Sequence, residues 1–255
     1  MKLATWNVNS VRARLPRVLA WLDASAPDVL CLQETKVEDA AFPTDEFMAR
    51  GYRVALFGQR TYNGVAIVSR SEALDVTRGL AGATEDPQAR LIAATIEGVR
   101  VLSAYFPNGE AVGSPKFAYK LEWMTRLRTR LLEELHVDRP LVLCGDFNVA
   151  PAPEDVHDPA AWDGHVLFTA EERDALATIR ATGLVDLLRQ LNPDTPCFTW
   201  WDYRQLAFPK NRGLRIDHVF VTPTLAARAT AAGVDRNARK GPQPSDHAPV
   251  WAEFR

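Results

Sequence analysis

The feature that most limits how this chain can fold is a set of short apolar runs, of strand length, that end abruptly in polar residues. The clearest examples are PDVLCLQE and PLVLCGDFN, and GLRIDHVFV and APVWAEF predict two more strands late in the chain. Apolar runs that do not alternate with polar residues are typical of strands buried on both faces. The sequence therefore predicts central strands that are covered on either side by other layers.

Other strands are predicted at the N-terminus and in the middle of the chain. KLATWNV predicts a first strand, and Ser10 can cap a helix that follows it. YRVALFG, GVAIVSR, RLIAATIEG and VRVLSAYFP predict a mostly antiparallel sheet, with a tight hairpin turn at Glu97 and Gly98.

The order of elements indicates the fold class. Apolar residues on a helical period predict a long helix over residues 114–135, and residues 151–164, rich in Pro, Asp and Ala, predict a long surface loop. Strands and helices do not alternate regularly, which favours two packed sheets with helices outside them over a doubly wound parallel sheet. We predict one α/β sandwich domain that spans residues 1–255.

Composition places the chain among ordinary globular proteins, with 47% apolar and 24% charged residues. The N-terminal segment lacks the apolar centre of a secretory signal, and no apolar stretch is long enough to span a membrane, so we expect a cytoplasmic protein. Cys31, Cys144 and Cys197 are far apart, and two of them lie in predicted buried strands, which argues against disulfides and a zinc site.

The net charge of −2 is unevenly distributed along the chain. Residues 203–255 contain nine Lys or Arg and four Asp or Glu. A phosphate backbone is a natural partner for such a basic region, although a solvated face that binds nothing has the same signature.

Polar side chains cluster where the predicted strands end, and strand ends from different parts of a sheet can converge on one pocket. The clusters are Asn7, Glu34, Asp146 with Asn148, Asp217 with His218, and Ser245 with Asp246 and His247. Each cluster alone is weak evidence, because an Asp or Asn after an apolar run is more often a turn or a cap than a functional group. Together they contain the groups that phosphodiester hydrolysis needs, namely groups that position water, stabilise negative charge and assist the departing oxygen.

The donor atoms of these clusters favour a hard cation. Carboxylate and amide oxygens without cysteine suit Mg²⁺ or Mn²⁺ better than zinc, and Glu34, Asp246 and Asn7 fit that need. His247 is a candidate base or phosphate donor, and Asp217 can fix its tautomer. We interpret the remaining histidines as structural or surface groups: His136, His157, His165 and His218.

Seven motifs run in a fixed order over essentially the whole chain. They are WNVNS, LQETK, AYFPNG, GDFNVAP, WWDYR, NRGLRIDH and SDHAPVWAEF. Together they resemble the exodeoxyribonuclease III branch of the endonuclease/exonuclease/phosphatase superfamily; WWDYR followed by NRGLRIDH is the most specific part. The resemblance implies a four-layer, DNase I-like α/β sandwich. It also implies an Mg²⁺-dependent, monomeric DNA-repair enzyme that incises 5′ to abasic (AP) sites, leaving a 3′-hydroxyl, and acts as a 3′–5′ exonuclease and 3′-phosphatase or phosphodiesterase on double-stranded DNA.

The resemblance implies roles for the residues that match the family motifs. Glu34 is the principal metal ligand, with Asn7 and Asp246 beside it. Asp146 orients or deprotonates the attacking water.

Four further residues are implied to act on the phosphate. His247, hydrogen-bonded to Asp217, contacts the scissile phosphate, and Asn148 orients the water and the phosphate. Tyr105 lies near the phosphate and the leaving group. The identity of the general base stays open.

The resemblance also implies a small apolar pocket for an extrahelical deoxyribose, formed by Trp200, Leu214 and Ile216. Because Trp200 and Trp201 point to opposite faces of one strand, one of the two should lie in the core. Asn108, in the PNG turn, would place donors near the DNA strand. The candidate contacts to flanking phosphates are Arg12, Arg14, Arg204, Lys210, Arg212 and Arg215.

Two alternatives remain at this level. The first is a different balance within the same chemistry, such as a specialised 3′-end-processing exonuclease or phosphatase with little AP-site incision, which depends on the loops at residues 162–171 and 208–213. Inositol-phosphate and sphingomyelin hydrolases are disfavoured by WWDYR and GLRIDH. The second is a DNA-binding protein that has lost catalysis, which the intact Glu34, Asp146 and His247 oppose.

Overall fold

The computed structural model describes residues 1–80 and 86–255, and twelve strands lie within them. In chain order they are β1 (Lys2–Asn7), β2 (Val29–Gln33), β3 (Arg53–Phe57), β4 (Val65–Ser69), β5 (Leu74–Arg78), β6 (Leu91–Ile96), β7 (Val99–Tyr105), β8 (Leu141–Asp146), β9 (Val185–Asp186), β10 (Asp217–Val221), β11 (Ala229–Val234) and β12 (Val250–Phe254).

The same residues contain seven α-helices. They are α1 (Val11–Ser25), α2 (Thr44–Met48), α3 (Pro115–Leu135), α4 (Pro159–Trp162), α5 (Ala170–Arg180), α6 (Leu187–Leu191) and α7 (Pro223–Ala226). None of these helices is long and apolar enough to cross a membrane.

The strands form two mixed six-stranded sheets, in the orders β11-β12-β1-β2-β4-β3 and β5-β6-β7-β8-β10-β9. Each sheet has one parallel pair at its centre, β1 with β2 and β7 with β8, and the other pairs are antiparallel. Since parallel strands end at the same edge of a sheet, β1 and β2 deliver their carboxyl ends together, as do β7 and β8. The predicted α/β sandwich is confirmed.

The continuous apolar runs of the sequence become these central strands. Every residue of β2 and of β8 is buried. Their inward side chains join one core between the sheets, in which Cys31 of β2 and Cys144 of β8 both lie. Helix α1 covers the outer face of the first sheet, and α3 and α5 cover that of the second.

Two local signals work as predicted. Ser10 accepts a hydrogen bond from the Ala13 amide and so caps α1. Glu97 and Gly98 have φ values of 48° and 79°, which suits a two-residue hairpin turn that requires positive φ at both positions.

Other elements differ from the sequence-based expectation. Residues 151–164 are not simply a surface loop, because they contain a 3-10 turn at Pro153–Asp155, in which Asp155 is buried, and helix α4. GLRI lies before β10, which begins only at Asp217. The buried face of α3 includes Lys120, Trp123 and Glu134, whereas Leu132 is exposed.

Candidate active site

The carboxyl ends of the two parallel strand pairs meet where the sheets pack together. Asn7 ends β1 and Glu34 follows β2, while Tyr105 ends β7 and Asp146 ends β8. The Asn7 Nδ2 atom donates hydrogen bonds to Glu34 Oε1 and to Asp146 Oδ2, both at 2.8 Å. Asn7 therefore joins a carboxylate of one sheet to a carboxylate of the other.

Local backbone features hold these side chains in place. An added Cβ at Gly145 would lie 1.8 Å from the Ala104 carbonyl oxygen, so only glycine lets β7 approach β8 immediately before Asp146. In the register of β8 and β10, Asp217 stands directly opposite Asp146. The Thr199 hydroxyl accepts the Asp217 amide at 3.0 Å and fixes the beginning of β10.

His247 lies between two carboxylates in the buried centre of the site. Its Nδ1 is 2.8 Å from Asp217 Oδ2, and its Nε2 is 3.7 Å from Asp146 Oδ2. Burial alone would lower the pKa of His247, but the charges of Asp217 and Asp146 outweigh it and raise that pKa to about 10. His247 is therefore cationic near neutral pH and can donate a proton or a hydrogen bond from Nε2.

Asp146 is buried among other acids. Burial raises its pKa to about 7, with Asp217 and Glu34 adding to the effect and His247 opposing it. The carboxylate accepts the Asn148 amide at 3.0 Å and the Asn148 Nδ2 at 3.3 Å. A carboxyl group with a pKa near neutrality can exchange a proton with water at physiological pH.

Two carboxylates and one imidazole of the described residues lie close together at the site. One side-chain atom each of Glu34, Asp146 and His247 lies within 4.8 Å of the other two; because His247 is protonated, it is the two carboxylates that are available to a cation. The Lys36 ammonium already lies 2.7 Å from Glu34 Oε2, so positive charge is favourable at this point. The crowding of carboxylates and the oxygen-rich donor set fit a divalent metal ion.

Asp246, the other predicted acidic metal ligand, has neutral partners. It accepts hydrogen bonds from Asn9 Nδ2 and Trp200 Nε1, both at 3.0 Å. Burial would raise the pKa of Asp246, but the charge of His247 and these two hydrogen bonds lower it. Asn9 also accepts the Lys36 ammonium at 2.6 Å, which links Asp246 to Glu34 through two side chains.

Tyr105 and Asn108 line a common cavity beside the site. Burial, followed by the charges of Glu34 and Asp146, raises the pKa of Tyr105 well above its ordinary value, so its phenol stays protonated. Asn108 is exposed and donates to Asn148 Oδ1 at 3.2 Å. Both side chains can donate hydrogen bonds to an anionic ligand.

The three predicted pocket residues differ in accessibility. Trp200 is half-buried and borders a cavity of about 280 Å³ that also reaches Trp162. Leu214 and Ile216 are only 0% and 1% exposed, since they pack in a small apolar cluster beneath the Trp162 and Trp200 rings. Trp201 is 1% exposed, which confirms that one tryptophan of WWDYR lies in the core.

The predicted phosphate contacts separate into three groups. Arg204 and Arg212 are exposed and line the cavity beside Trp200, and Lys210 is exposed nearby. Arg14 donates to the Asn9 carbonyl and the Tyr203 hydroxyl, at 2.7 and 3.1 Å. Arg12, although exposed, donates to the Ala41 carbonyl.

The prediction that Arg215 contacts DNA is wrong. Its guanidinium is 1% exposed and forms buried ion pairs with Asp155 at 2.7 Å and Asp186 at 2.8 Å. The local sequence resembles a basic loop, but the carboxylates that bury Arg215 come from distant segments.

Sequence reasoning missed two groups at the site. Lys36 and Asn9 lie between Glu34 and Asp246, yet neither was given a role. Both stand inside motifs, LQETK and WNVNS, and both have positive φ, at 56° and 44°. Their position in the motifs was the available signal.

Comparison with known proteins agrees with this geometry. Residues 4–247 match the Endonuclease/Exonuclease/phosphatase family. The exodeoxyribonuclease III of Haemophilus influenzae is 37% identical over 267 residues, covering 100% of both chains. A solved structure of a 3′ phosphatase from Neisseria, bound to a product DNA hairpin, is 46% identical with a TM-score of 0.98, covering 100% of this chain and 99% of that chain. An AP endonuclease from Archaeoglobus fulgidus is 42% identical with a TM-score of 0.97, over the same shares.

Proposed function

Because the chain belongs to the Endonuclease/Exonuclease/phosphatase family, we propose that it hydrolyses DNA phosphate esters with Mg²⁺, incising 5′ to AP sites and clearing blocked 3′ ends. The chain is a nuclease of this family. The observation that carries the proposed reaction is the position of His247 between Asp217 and Asp146, beside Glu34. That arrangement supplies a donor for phosphoryl oxygens and a proton acceptor for water within one buried site.

The residues divide the work of an in-line displacement. Asp146 takes the proton of the attacking water, which Asn148 orients, and His247 donates from Nε2 to a phosphoryl oxygen. Tyr105 stays protonated and donates a hydrogen bond near the leaving oxygen. Glu34 would hold the cation, with Asn7 and Asp246 beside it, and the hydrogen bonds from Asn7 fix the carboxylates of Glu34 and Asp146. A bound Mg²⁺ would neutralise negative charge on the phosphoryl oxygens.

The proposal is tested with a duplex that contains a tetrahydrofuran AP-site analogue. Purified protein with Mg²⁺ should cut 5′ to the analogue and leave a 3′-hydroxyl, and a chelator should abolish the cut. Duplexes with a 3′-phosphate or a recessed 3′ end are assayed in parallel. Failure to cut the analogue while the 3′-phosphate is removed contradicts AP-site incision; failure on every substrate contradicts the proposed reaction.

One observation favours a second candidate, a specialised 3′-end-processing enzyme. Leu214 and Ile216, which would line a deoxyribose pocket, are covered by Trp162 and Trp200. The two rings stand at 88° to each other with their centroids 6.4 Å apart. Because both side chains are almost fully buried, an extrahelical sugar can reach them only if a group packed against them, such as one of these rings, moves.

Trp162→Ala separates the two candidates. If the ring restricts entry to the pocket, the variant should cut the tetrahydrofuran duplex about tenfold faster relative to 3′-phosphate removal. Opening the pocket then no longer breaks a desolvated contact of the Trp162 ring, worth about 1.4 kcal/mol. Tyr62→Ala, at an exposed ring outside this cluster, is the control. An unchanged ratio of the two rates argues against closure by Trp162.

A cytoplasmic location and a monomeric state stay predictions.

A further inference from the structure

A lysine in the interior of the protein supports the site from behind. Lys120, on α3, and Glu172, on α5, are both 0% exposed and form an ion pair. The Lys120 ammonium also donates to the Asn148 carbonyl at 2.7 Å and to the Asn108 carbonyl at 3.1 Å. One buried cation therefore contacts the backbone of two separate active-site segments.

The side chains of those two segments form a series of hydrogen bonds that leads to Asp146. Asn108 Nδ2 donates to Asn148 Oδ1 at 3.2 Å, and Asn148 Nδ2 lies 3.3 Å from Asp146 Oδ2. Asn148 has a φ of 51°, in the left-handed region that is uncommon for residues other than glycine but that asparagine adopts more readily than most. The hydrogen bond from Lys120 to the Asn148 carbonyl supports that conformation.

Glu172 extends the support to a third segment. Its carboxylate accepts the Leu167 amide at 3.1 Å, the Thr169 amide at 3.0 Å and the Thr169 hydroxyl at 2.8 Å. Leu167 has a φ of 81° and packs in the apolar cluster with Leu214 and Ile216. Strained residues persist only where the surrounding structure holds them, and they concentrate at functional sites.

A buried ion pair is a poor source of stability, because the cost of removing two charges from water offsets their attraction. Such a pair does hold its partners in one geometry when every polar atom is satisfied. The three protons of the Lys120 ammonium match its three acceptors, namely the Asn108 carbonyl, the Asn148 carbonyl and Glu172.

We propose that Lys120 is a positioning residue, which with Glu172 sets the backbone of Asn108 and Asn148 so that their side chains meet the phosphate undergoing hydrolysis. This role rests on the proposed function, since it concerns the same phosphate. Lys120 itself lies behind the site and does not touch substrate.

The test compares two buried ion pairs, each of which has one member on α3. Lys120→Met with Glu172→Gln removes the network while keeping its approximate shape. Arg100→Met with Glu134→Gln removes the matched pair of β7 and α3, which is also buried, with an N–O distance of 2.9 Å. Glu134 is fourteen residues from Lys120, about 21 Å along the helix axis. Both variants are assayed well below their unfolding temperatures.

Removal of a 3′-phosphate from duplex DNA is the kinetic measurement. The Lys120/Glu172 variant should lose about ten- to a hundredfold in kcat with little change in KM, as expected when catalytic groups are displaced by less than about 1 Å. The Arg100/Glu134 variant should keep its kcat. In an Asn148→Ala background, the Lys120/Glu172 change should lower kcat much less, because the Asn148 side chain that the ion pair positions is absent. Equal kcat for the two pair variants, or full additivity with Asn148→Ala, overturns the proposal.

Amide hydrogen exchange tests the same role without any activity. Exchange at residues 105–110 and 146–150 should accelerate in the Lys120/Glu172 variant and not in the control; unchanged exchange there overturns the proposal. If the wild-type protein hydrolyses none of the DNA substrates, the proposed function fails, whereas this comparison still decides whether Lys120 holds the two segments. Should the double variant not fold, Lys120→Arg keeps the charge but moves the donors, and an unchanged exchange pattern in it also overturns the proposal.

Discussion

At the scale of single residues, the reactivity of the site depends on how three buried ionisable side chains share charge. Asp146, Asp217 and His247 are each no more than 4% exposed, and the imidazole lies between the two carboxylates. Because Asp217 holds His247 through Nδ1, only Nε2 is free to face the phosphate and Asp146. The two carboxylates therefore have different roles, Asp217 in orienting the imidazole and Asp146 in handling the water.

Asp146→Asn should lower kcat by at least about a hundredfold, because an amide of the same shape cannot accept the proton of the attacking water. Steady-state hydrolysis of a 3′-phosphate duplex measures the change. Asp138→Asn, at an exposed carboxylate after α3, is the control and should retain full activity. Near-normal turnover by Asp146→Asn would rule out the assigned role.

His218, next to Asp217 in sequence, behaves in the opposite way to His247. Burial and then the charge of Arg215 lower its pKa from 6.5 to about 4, and its Nε2 donates to the Val149 carbonyl at 3.0 Å. The folded protein keeps His218 neutral while the unfolded chain takes up a proton below pH 6.5. Stability contributed by this residue is therefore present at pH 7 and decreases as the pH falls from 6.5 towards 4.

We expect His218 to contribute about 2 kcal/mol less to the free energy of unfolding at pH 5 than at pH 7. His218→Asn lacks this titration, so its loss of stability relative to wild type should be smaller at pH 5 than at pH 7 by about that amount. Urea unfolding at the two pH values measures both proteins. Parallel pH dependences for the two proteins would show that His218 does not titrate in this way.

At this scale, the sequence predicted the role of a residue correctly where a motif determines that role. It failed where the role depends on a partner that is distant in sequence. The hydrogen bond between Asp217 and His247, predicted from the motifs, is present in the structure. Arg215 looked like a DNA contact, since nothing near it in sequence reveals Asp155 and Asp186. Lys120 was hidden in the same way, as a lone cation on the apolar face of a helix whose partners lie elsewhere.

At the scale of elements, two glycines allow the cost of backbone strain to be compared with the cost of a steric clash. Gly98, in the hairpin of β6 and β7, has a φ of 79° and open space where a Cβ would lie, whereas a Cβ at Gly145 would strike the Ala104 carbonyl. Gly98→Ala should cost about 1 kcal/mol of unfolding free energy, and Gly145→Ala at least about 3 kcal/mol, since β7 and β8 must separate. Urea midpoints at constant m-value measure both; similar losses would show that the parallel pair tolerates a side chain at Gly145.

The elements that sequence reasoning missed carry weak hydrophobic signals. All residues of β5 are exposed, and β11, ATAAGV, consists mostly of small residues. Both pair along the outer part of a sheet, where backbone hydrogen bonds to β6 and β12 determine the strand and side-chain burial contributes little. The buried strands β2 and β8, in contrast, were evident because burial on both faces leaves a continuous apolar run.

At the scale of the whole molecule, the active site exists because two sheets are packed face to face. Asn7 and Glu34 come from the first sheet, and Tyr105, Asp146 and Asp217 from the second. The Ser245 hydroxyl donates to the Asn7 carbonyl at 2.7 Å and brings the loop with His247 to the same point. The fold class followed from strand patterns, but the convergence of these residues followed only from motifs matched along the full chain, since no local pattern encodes contacts across 139 or 238 residues.

A metal ion bound here would connect the two sheets, so its effect should extend to global stability. The carboxylates of Glu34, from the first sheet, and Asp146, from the second, lie close together and repel each other without a cation. Burial is the main cause of the raised pKa of Asp146, and the charge of Glu34 adds to it. Mg²⁺ at tenfold its dissociation constant should stabilise the folded protein by about 1.4 kcal/mol. That corresponds to a rise in Tm of about 3 to 6 °C for a chain of this size. Glu34→Gln, which removes a ligand charge on one sheet only, should lose most of this rise, while added K⁺ at equal ionic strength should produce none in either protein. If Mg²⁺ raises the Tm of Glu34→Gln as much as that of the wild type, the stabilising metal ion binds elsewhere. The proposed cofactor then does not connect the two sheets.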